Sequence, residues 1–205
     1  MSIRERIAKL RSHLRRGRQR IARIVKRNER RRRAIARLEA ELEATVMFDS
    51  VDLDQIPANA PAVGAYTGGR WPTYWEAVKR FPHAFVLAIA IAASEDATCL
   101  DIETGDATIA EASGWVRRQH ARGLKRPWLY ISVANAEQLL AALAAAGIAR
   151  HEFVLFTAHW TYELHLCGPH SCGALKSTTA EASQCNDHAL GRNLDESLVA
   201  AGVIG

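Results

Sequence analysis

The sequence predicts an α/β fold, in which a small closed barrel of strands and helices follows a long basic helix. Two observations separate these parts: apolar residues form heptads over the first 45 residues, and short apolar runs alternate with helical patterns after them. A third observation, acidic residues at the ends of predicted strands, favours a barrel over an open sheet. With 205 residues, 48% of them hydrophobic, the chain is long enough for one such domain and an appendage.

In residues 1–45 the apolar side chains follow one another at alternating spacings of four and three residues, which is a heptad repeat. The positions are Ile3, Ile7, Leu10, Leu14, Ile21, Ile24, Ile35, Leu38 and Leu42. This repeat predicts a coiled coil over residues 1–45, and therefore self-association. Gly17, Asn28 and Arg31 interrupt the seam, which weakens packing but can fix the register. The alternative is a single basic amphipathic helix on a partner or an anionic surface, because the run RNERRRR would repel its copies at low salt.

The charge of the chain is divided unequally between the two parts. Residues 1–45 hold 16 of the 27 Lys and Arg but 5 of the 22 Asp and Glu, so they carry +11 and the remaining residues carry −6. A helix of this charge is attracted to polyanions, such as anionic wall polymers, and to DNA without sequence preference. Residues 1–45 contain no aromatic side chain for stacking on bases.

Seven apolar runs after residue 45 predict strands, at residues 46–52, 62–68, 85–92, 97–103, 128–133, 153–159 and 181–187. Helical patterns lie between them, at residues 73–81, 109–123 and 136–147. This alternation is typical of a doubly wound sheet or of a small closed barrel. Candidate site residues lie near the strand ends, at Asp49, Asp101, Glu103 and His159. Because a barrel gathers its active site at such ends, we predict the barrel.

Three carboxylates are the candidates for chemistry at these strand ends. Asp49 ends the first predicted strand, and Asp101 and Glu103 end the fourth. Carboxylates in a shared cleft push their pKa values apart, so that one serves as a general acid and another as a base or charge stabiliser, as glycoside hydrolysis requires. The alternative is structural: strand-end acids often cap the following helix or pair with an arginine, and the segment ETGDAT is rich in cap and turn formers.

The eight-residue segment HLCGPHSC contains four possible metal ligands, His165, Cys167, His170 and Cys172. Zinc sites usually join two separated pairs of ligands instead of taking all four from one short loop. We therefore favour a disulfide between Cys167 and Cys172, or free thiols, over a metal site. Cys99 and Cys185 have no partner that the sequence indicates.

Five motifs in order carry a resemblance to a known family. They are MFDSVD at the first strand, CLDIETGDA at the fourth, RPWLYISV at the fifth, LFTAHWT at the sixth and a closing SQCNDHALGRNLDES. Together they resemble the glycoside hydrolase family 25 lysozymes and related glycoside-hydrolase-like domains of actinobacteria and their phages, over roughly residues 46–200. The resemblance implies an irregular (β/α) TIM-type barrel over residues 46–205 and cleavage of the bond between N-acetylmuramic acid and N-acetylglucosamine in peptidoglycan, without a cofactor or metal.

The resemblance also implies roles for single residues. Glu103 becomes the proton donor to the leaving sugar oxygen, Asp101 orients or stabilises the substrate acetamido group, and Asp49 supports the cleft. The substrate's own acetamido oxygen can then act as the nucleophile. The expected substrate-binding residues are Tyr66, Trp71, Tyr130, His159 and Trp160.

The closing motif departs from the family pattern. The family commonly has an aromatic residue after the glutamine of the last strand, whereas Cys185 follows Gln184 here, which removes an expected sugar platform. Three further charged residues of that motif, Asp187, Arg192 and Asp195, are expected to support the bottom of the barrel and need not touch ligand.

The sequence thus predicts a muramidase-like protein of phage or actinobacterial origin that acts on peptidoglycan. Residues 1–45 would make it a homo-oligomer or bind it to virion subunits. The alternative is an inactive virion structural or decoration protein whose barrel binds glycan. We expect no membrane span, since no run of about 18 apolar residues occurs. The expected location is the virion or the cell wall, without a signal peptide.

Overall fold

A computed structural model describes residues 3–204 of the chain. Within the N-terminal helix it describes the side chains of residues 3, 6, 13–32, 34–36 and 39. The chain divides into two compact units, one ending at Leu42 and the other beginning at Glu43. Among the described residues, no helix is long and apolar enough to cross a membrane.

The first unit is one helix, α1 (Ile3–Leu42), of 40 residues rich in the good helix formers Arg, Ala, Leu and Glu. The predicted seam residues Ile3, Leu14, Ile21, Ile24 and Ile35 have exposed side chains. The side chains of Ile7, Leu10, Leu38 and Leu42, also predicted for the seam, lie outside the described residues. The helix itself is therefore present, whereas a coiled coil needs a second helix and stays a prediction.

The second unit is a closed barrel of eight strands in the chain order β1 to β8. The strands are β1 (Thr45–Asp49), β2 (Ala62–Tyr66), β3 (Phe85–Ala90), β4 (Cys99–Ile102), β5 (Trp128–Ser132), β6 (Val154–Ala158), β7 (Ala182–Asn186) and β8 (Asp195–Val199). The helices are α2 (Tyr74–Arg80), α3 (Ile109–Ala121) and α4 (Val133–Ala145), with 3-10 turns at Leu53–Gln55, Arg150–Glu152 and Ala189–Gly191. The predicted α/β class and closed barrel are confirmed.

The closing strand differs from the sequence prediction. Each strand from β1 to β6 pairs in parallel with the next, but β8 pairs antiparallel with both β7 and β1. The prediction of seven strands missed β8, because its sequence DESLV begins with two acids and offers a short apolar run. The antiparallel strand closes the barrel without a crossover helix.

The barrel interior is layered because successive side chains of a strand point to opposite faces. One layer is apolar and includes Met47, Cys99, Trp128 and Ala182. Two residues further along the same strands stand Asp49, Asp101, Tyr130 and Gln184, which form a polar layer at the carboxyl ends of the parallel strands. Outside the sheet, α3 and α4 cover the other face of the strands with a core that includes Trp115 and Leu139.

Candidate active site

The polar layer opens into a cavity of about 110 Å³ at the carboxyl ends of the parallel strands. Its lining residues are Asp49, Tyr66, Ile89, Asp101, Glu103, Tyr130, Phe156, Trp160, Gln184 and Asp195. Six of the eight residues that the sequence predicts for the site, namely the three acids, both tyrosines and Trp160, therefore lie around one cavity. Four carboxyl groups face it, in a protein interior where each raises the cost of ionising the others.

Asp49 and Asp195 form a carboxyl pair within this cavity. The two residues lie opposite each other in the antiparallel pairing of β1 with β8, and their side chains hydrogen-bond each other. Burial and the neighbouring Asp195 carboxylate raise the pKa of Asp49 far above its usual value, while burial raises the pKa of Asp195 to about 6. One proton is therefore held between them at neutral pH, with Asp49 as donor and Asp195 as acceptor.

Asp101 is buried, with 4% of its surface exposed, and lines the cavity. Burial, followed by the charges of Glu103 and Asp106, raises the pKa of Asp101 to about 8. Its Oδ1 atom is buried and has no hydrogen-bond partner among the described residues. A buried carboxyl oxygen without a partner is costly, so a hydrogen bond from a ligand that reaches this atom would offset that cost.

Glu103 lies at the mouth of the cavity with its side chain partly open to solvent. Partial burial raises the pKa of Glu103, against a hydrogen bond with Tyr130 that lowers it. The single proton of the Tyr130 hydroxyl is shared between Glu103 and the Oε1 atom of Gln184, which also accepts from this hydroxyl. Burial raises the pKa of both Tyr66 and Tyr130, so the two phenols stay neutral at the edge of the acid cluster.

Two of the predicted substrate-binding residues lie outside the cavity. Trp71 is half exposed, with the Arg70 guanidinium 5.2 Å from its ring centroid. His159 follows β6 and turns away from the acids, with its Nδ1 atom 3.3 Å from Nε2 of His165. Neither residue lines the cavity with the carboxylates.

Several lining residues were missed or misplaced by the sequence prediction. Asp195 was expected at the bottom of the barrel, and this is wrong: it lines the cavity beside Asp49. The sequence prediction considered only acids at the end of a strand, whereas Asp195 is the first residue of β8. Because β8 is antiparallel, its first residue lies at the same edge of the sheet as the last residues of the parallel strands. Gln184 lies two residues after buried Ala182 on β7, so the alternation of a strand could have identified it as a residue of the barrel interior. Cys185 is buried with its sulfur near His165, outside the cavity.

A larger groove of about 550 Å³ lies elsewhere on the barrel unit, lined by residues that include Tyr74, Trp75 and Arg122. It contains one carboxylate, Asp96, which hydrogen-bonds Arg118 and Gln119 and forms an ion pair with Arg122. These partners lower the pKa of Asp96 and keep it ionised, so it has no proton to donate near neutral pH. The smaller cavity is therefore the candidate active site.

Gly64 of β2 lies against the site, because it pairs with Asp49 in the sheet. A Cβ atom at Gly64 would stand 2.9 Å from Cβ of Asp49 and 3.1 Å from Cδ1 of Ile89. We expect Gly64→Ala to lower the free energy of unfolding by about 1–3 kcal/mol in urea titrations. Gly114→Ala is the control: its Cβ meets nothing within 4 Å on α3, and it should raise that free energy by up to about 1 kcal/mol. Equal stability of both variants would contradict the contact at Asp49.

Comparisons of the chain with models of protein families, with curated proteins and with solved structures found no match.

Proposed function

We propose that the barrel unit is a muramidase-like glycoside hydrolase of the family 25 lysozyme type, with an irregular (β/α) TIM-type barrel, that acts on peptidoglycan. The observation that carries the proposal is the convergence of Asp49, Asp101, Glu103 and Asp195 on one cavity with two tyrosines and Trp160. Carboxyl groups of different environment supply acid and base, and aromatic side chains at the rim suit the faces of sugar rings.

Glu103 is the proton donor in this proposal. It lies at the mouth of the cavity, where a leaving sugar oxygen has access, and burial raises its pKa towards the range of a useful general acid. Burial and, after it, the charge of Glu103 raise the pKa of Asp101 to about 8, so in the resting form near neutral pH Asp101 holds a proton. In the reactive form that proton is on Glu103, and Asp101 is ionised.

Asp101 holds the acetamido group of the substrate. Its unpartnered Oδ1 accepts a hydrogen bond from the acetamido N–H, which turns the acetamido oxygen towards the anomeric carbon. As the Glu103 proton moves to the glycosidic oxygen, the bond from that oxygen to the anomeric carbon breaks and the acetamido oxygen bonds to the same carbon. The acetamido N–H proton passes to Asp101. The Glu103 carboxylate then removes a proton from the water that opens the cyclic intermediate, and Asp101 returns its proton to nitrogen.

Asp49 and Asp195 support the cleft from β1 and β8. Their shared proton keeps this side of the cavity at one negative charge, and contacts from Asp195 to Gln184 and from Gln184 to Tyr130 extend the network to Glu103. The network fixes the tyrosine that touches the proton donor.

The helix α1 serves in this proposal as the anchor, through a coiled coil with copies of itself or with other virion subunits. The exposed apolar side chains at seam positions support a partner for the helix, and the charge of +11 supports contact with polyanions of a wall. The proposed location is a virion or the cell wall.

A second candidate function is a barrel that binds glycan without cleaving it, as part of a virion or surface structure. One observation favours it: the cavity of about 110 Å³ is smaller than the roughly 300–1,000 Å³ usual for ligand sites. Such a cavity accommodates part of a sugar ring and leaves the rest of the glycan on the surface.

The test is release of reducing sugar ends from purified actinobacterial peptidoglycan by the full chain. We expect wild-type activity and a loss of roughly 100-fold or more in Glu103→Gln, because the amide cannot donate the proton. Glu76→Gln, at an exposed position in the first turn of α2, is the matched control and should retain activity. If wild-type protein with an intact circular dichroism spectrum releases no ends, the hydrolase proposal is wrong, and binding to insoluble peptidoglycan then tests the second candidate.

A further inference from the structure

Four side chains in the segment between β6 and β7 form a group of possible metal ligands outside the acid cavity. They are His159, His165, Cys167 and Cys172, and their ligand atoms all lie within 4.8 Å of one another. All four cysteines of the chain are free thiols, so Cys167 and Cys172 are not joined by the disulfide that the sequence allowed. We propose that this His₂Cys₂ group is a structural zinc site.

Three of the four ligand atoms stand at the spacing of a zinc tetrahedron, and the fourth, the Cys172 sulfur, lies within 4.8 Å of them. With bonds of about 2.0–2.1 Å to nitrogen and about 2.3 Å to sulfur, the ligands of tetrahedral zinc stand about 3.3 Å apart for two nitrogens and about 3.5 Å for nitrogen and sulfur. The Nδ1 atom of His159 and the Nε2 atom of His165 are 3.3 Å apart. The Cys167 sulfur is 3.5 Å from the first and 3.4 Å from the second. The three atoms therefore face one centre at coordination spacing.

The ring of His165 is oriented as a zinc ligand is. Its Nδ1 atom lies 2.9 Å from the carbonyl oxygen of Glu163, which can accept a hydrogen bond only from a protonated nitrogen. The proton on Nδ1 leaves a lone pair on Nε2, the atom that faces His159 and Cys167. A backbone carbonyl that fixes the tautomer in this way is the usual outer partner of a metal-bound histidine.

The barrel strands position two of the four ligands. The backbone N–H of His159 donates to the carbonyl oxygen of Gln184 on β7 at 2.8 Å. The backbone N–H of Cys167 donates to Oγ of Ser183 at 2.9 Å, and this hydroxyl also contacts Thr157 on β6. These two ligands are thus positioned by hydrogen bonds to β7, which lowers the entropy cost of binding a metal.

A tight turn over residues 168–173 brings Cys172 close to the other three ligands. The backbone N–H of Gly173 donates to the carbonyl oxygen of Gly168 at 3.0 Å, and Gly173 has a positive φ of 69°. A Cβ atom at Gly168 would stand 2.7 Å from Oγ1 of Thr179, so a larger residue does not fit there. The turn places the Cys172 sulfur within 4.8 Å of the other three ligand atoms.

The ligand set differs from the one the short loop suggested. His170 is outside the group, and His159 from the end of β6 takes its place. One ligand therefore comes from the end of β6 and three come from the loop that follows it. The objection that one short loop supplies all four ligands no longer applies. Two thiolates and two imidazoles suit Zn²⁺, and four protein ligands leave no open position for water, so the site is structural and not hydrolytic.

The metal would fix the segment between β6 and β7, which contains no helix or strand over residues 159–181. Trp160, next to His159, lines the acid cavity. A zinc site in this segment therefore holds the rim of the candidate active site in place, whether the cavity hydrolyses glycan or only binds it.

The test measures metal, so it is independent of any hydrolase activity. The full chain is purified under reducing conditions, and its zinc content is measured by plasma mass spectrometry; we expect one ion per chain. After chelation, anaerobic addition of Co²⁺ should give the absorption of tetrahedral cobalt with a thiolate charge-transfer band. Cys172→Ser and His165→Ala should weaken binding at least about 10-fold, whereas the control His170→Ala should bind as the wild type does.

Wild-type protein that binds neither Zn²⁺ nor Co²⁺, although all four thiols react with a thiol reagent once the chain is unfolded, would overturn the site. So would equal binding by Cys172→Ser and the wild type, or a Cys167–Cys172 disulfide in the purified protein. Since a ligand variant can misfold, the wild type provides a second readout: chelation should lower the midpoint of thermal unfolding, and added zinc should restore it. A midpoint that does not move would also contradict the proposal.

Discussion

Asp101→Asn should remove hydrolysis and at the same time stabilise the barrel at pH 8. The pKa of Asp101 is raised to about 8 by burial and by the charges of Glu103 and Asp106, whereas an unfolded aspartate has a pKa of about 3.9. Between these values the folded chain binds more protons than the unfolded chain. Its free energy of unfolding therefore falls as the pH rises through this window, and is fully retained below pH 4.

Asparagine has no proton to lose, so the variant escapes this loss. We expect Asp101→Asn to gain roughly 2 kcal/mol or more over the wild type at pH 8, with little difference at pH 4. Turnover should drop about 100-fold or more, because the amide cannot take the proton of the acetamido nitrogen. Urea titrations at several pH values and the reducing-end assay measure the two effects.

Asp54→Asn is the matched control for this experiment. Asp54 is an exposed residue of the same unit whose carboxylate pairs with Arg80 at 2.6 Å on the surface. Its replacement should change stability by less than about 1 kcal/mol and leave turnover intact. The prediction is wrong if Asp101→Asn shows the same fall of stability with pH as the wild type. Retained turnover would remove Asp101 from the mechanism.

The carboxyl pair of Asp49 and Asp195 should show the second large effect. Asp49 donates its proton to Asp195 within the barrel, and an asparagine amide can donate in its place. Leucine has nearly the same shape but donates nothing, so Asp195 would be left largely buried without its partner. We expect Asp49→Leu to be about 3 kcal/mol less stable than Asp49→Asn in urea at pH 7.

A double variant separates the lost hydrogen bond from a packing fault. Replacing both carboxyls, as Asp49→Leu with Asp195→Leu, removes the unpaired acceptor and should recover most of the stability lost in Asp49→Leu. Thermal or urea unfolding of the wild type, Asp49→Leu, Asp195→Leu and the double variant completes the cycle. If the double variant is less stable than Asp49→Leu, the pair is not the source of the loss.

Much of the candidate site follows from local sequence patterns. The alternation of Met47 with Asp49 and of Cys99 with Asp101 identifies strands whose polar residues share the interior face. Parallel strands bring their carboxyl ends to one edge, so strand-end acids could be expected to meet before any contact was known. Three helices were predicted from their periodicity, and their observed bounds lie within or near the predicted ranges.

The identity of the partners in the site could not be predicted in this way. Asp195 reaches Asp49 because β8 runs antiparallel, and strand direction depends on closure of the whole barrel, not on the residues of the strand. The choice of His159 over His170 in the metal-ligand group depends on the course of a loop without regular structure.

The sequence by itself therefore determined the basic helix, the strand and helix elements and the face on which the first three acids lie, because periodicity and turn residues act within a few positions of each other. Only the tertiary structure decided the eighth strand, the Asp49–Asp195 pair and the His₂Cys₂ group, because these depend on contacts between distant segments and on the direction in which the chain closes its barrel.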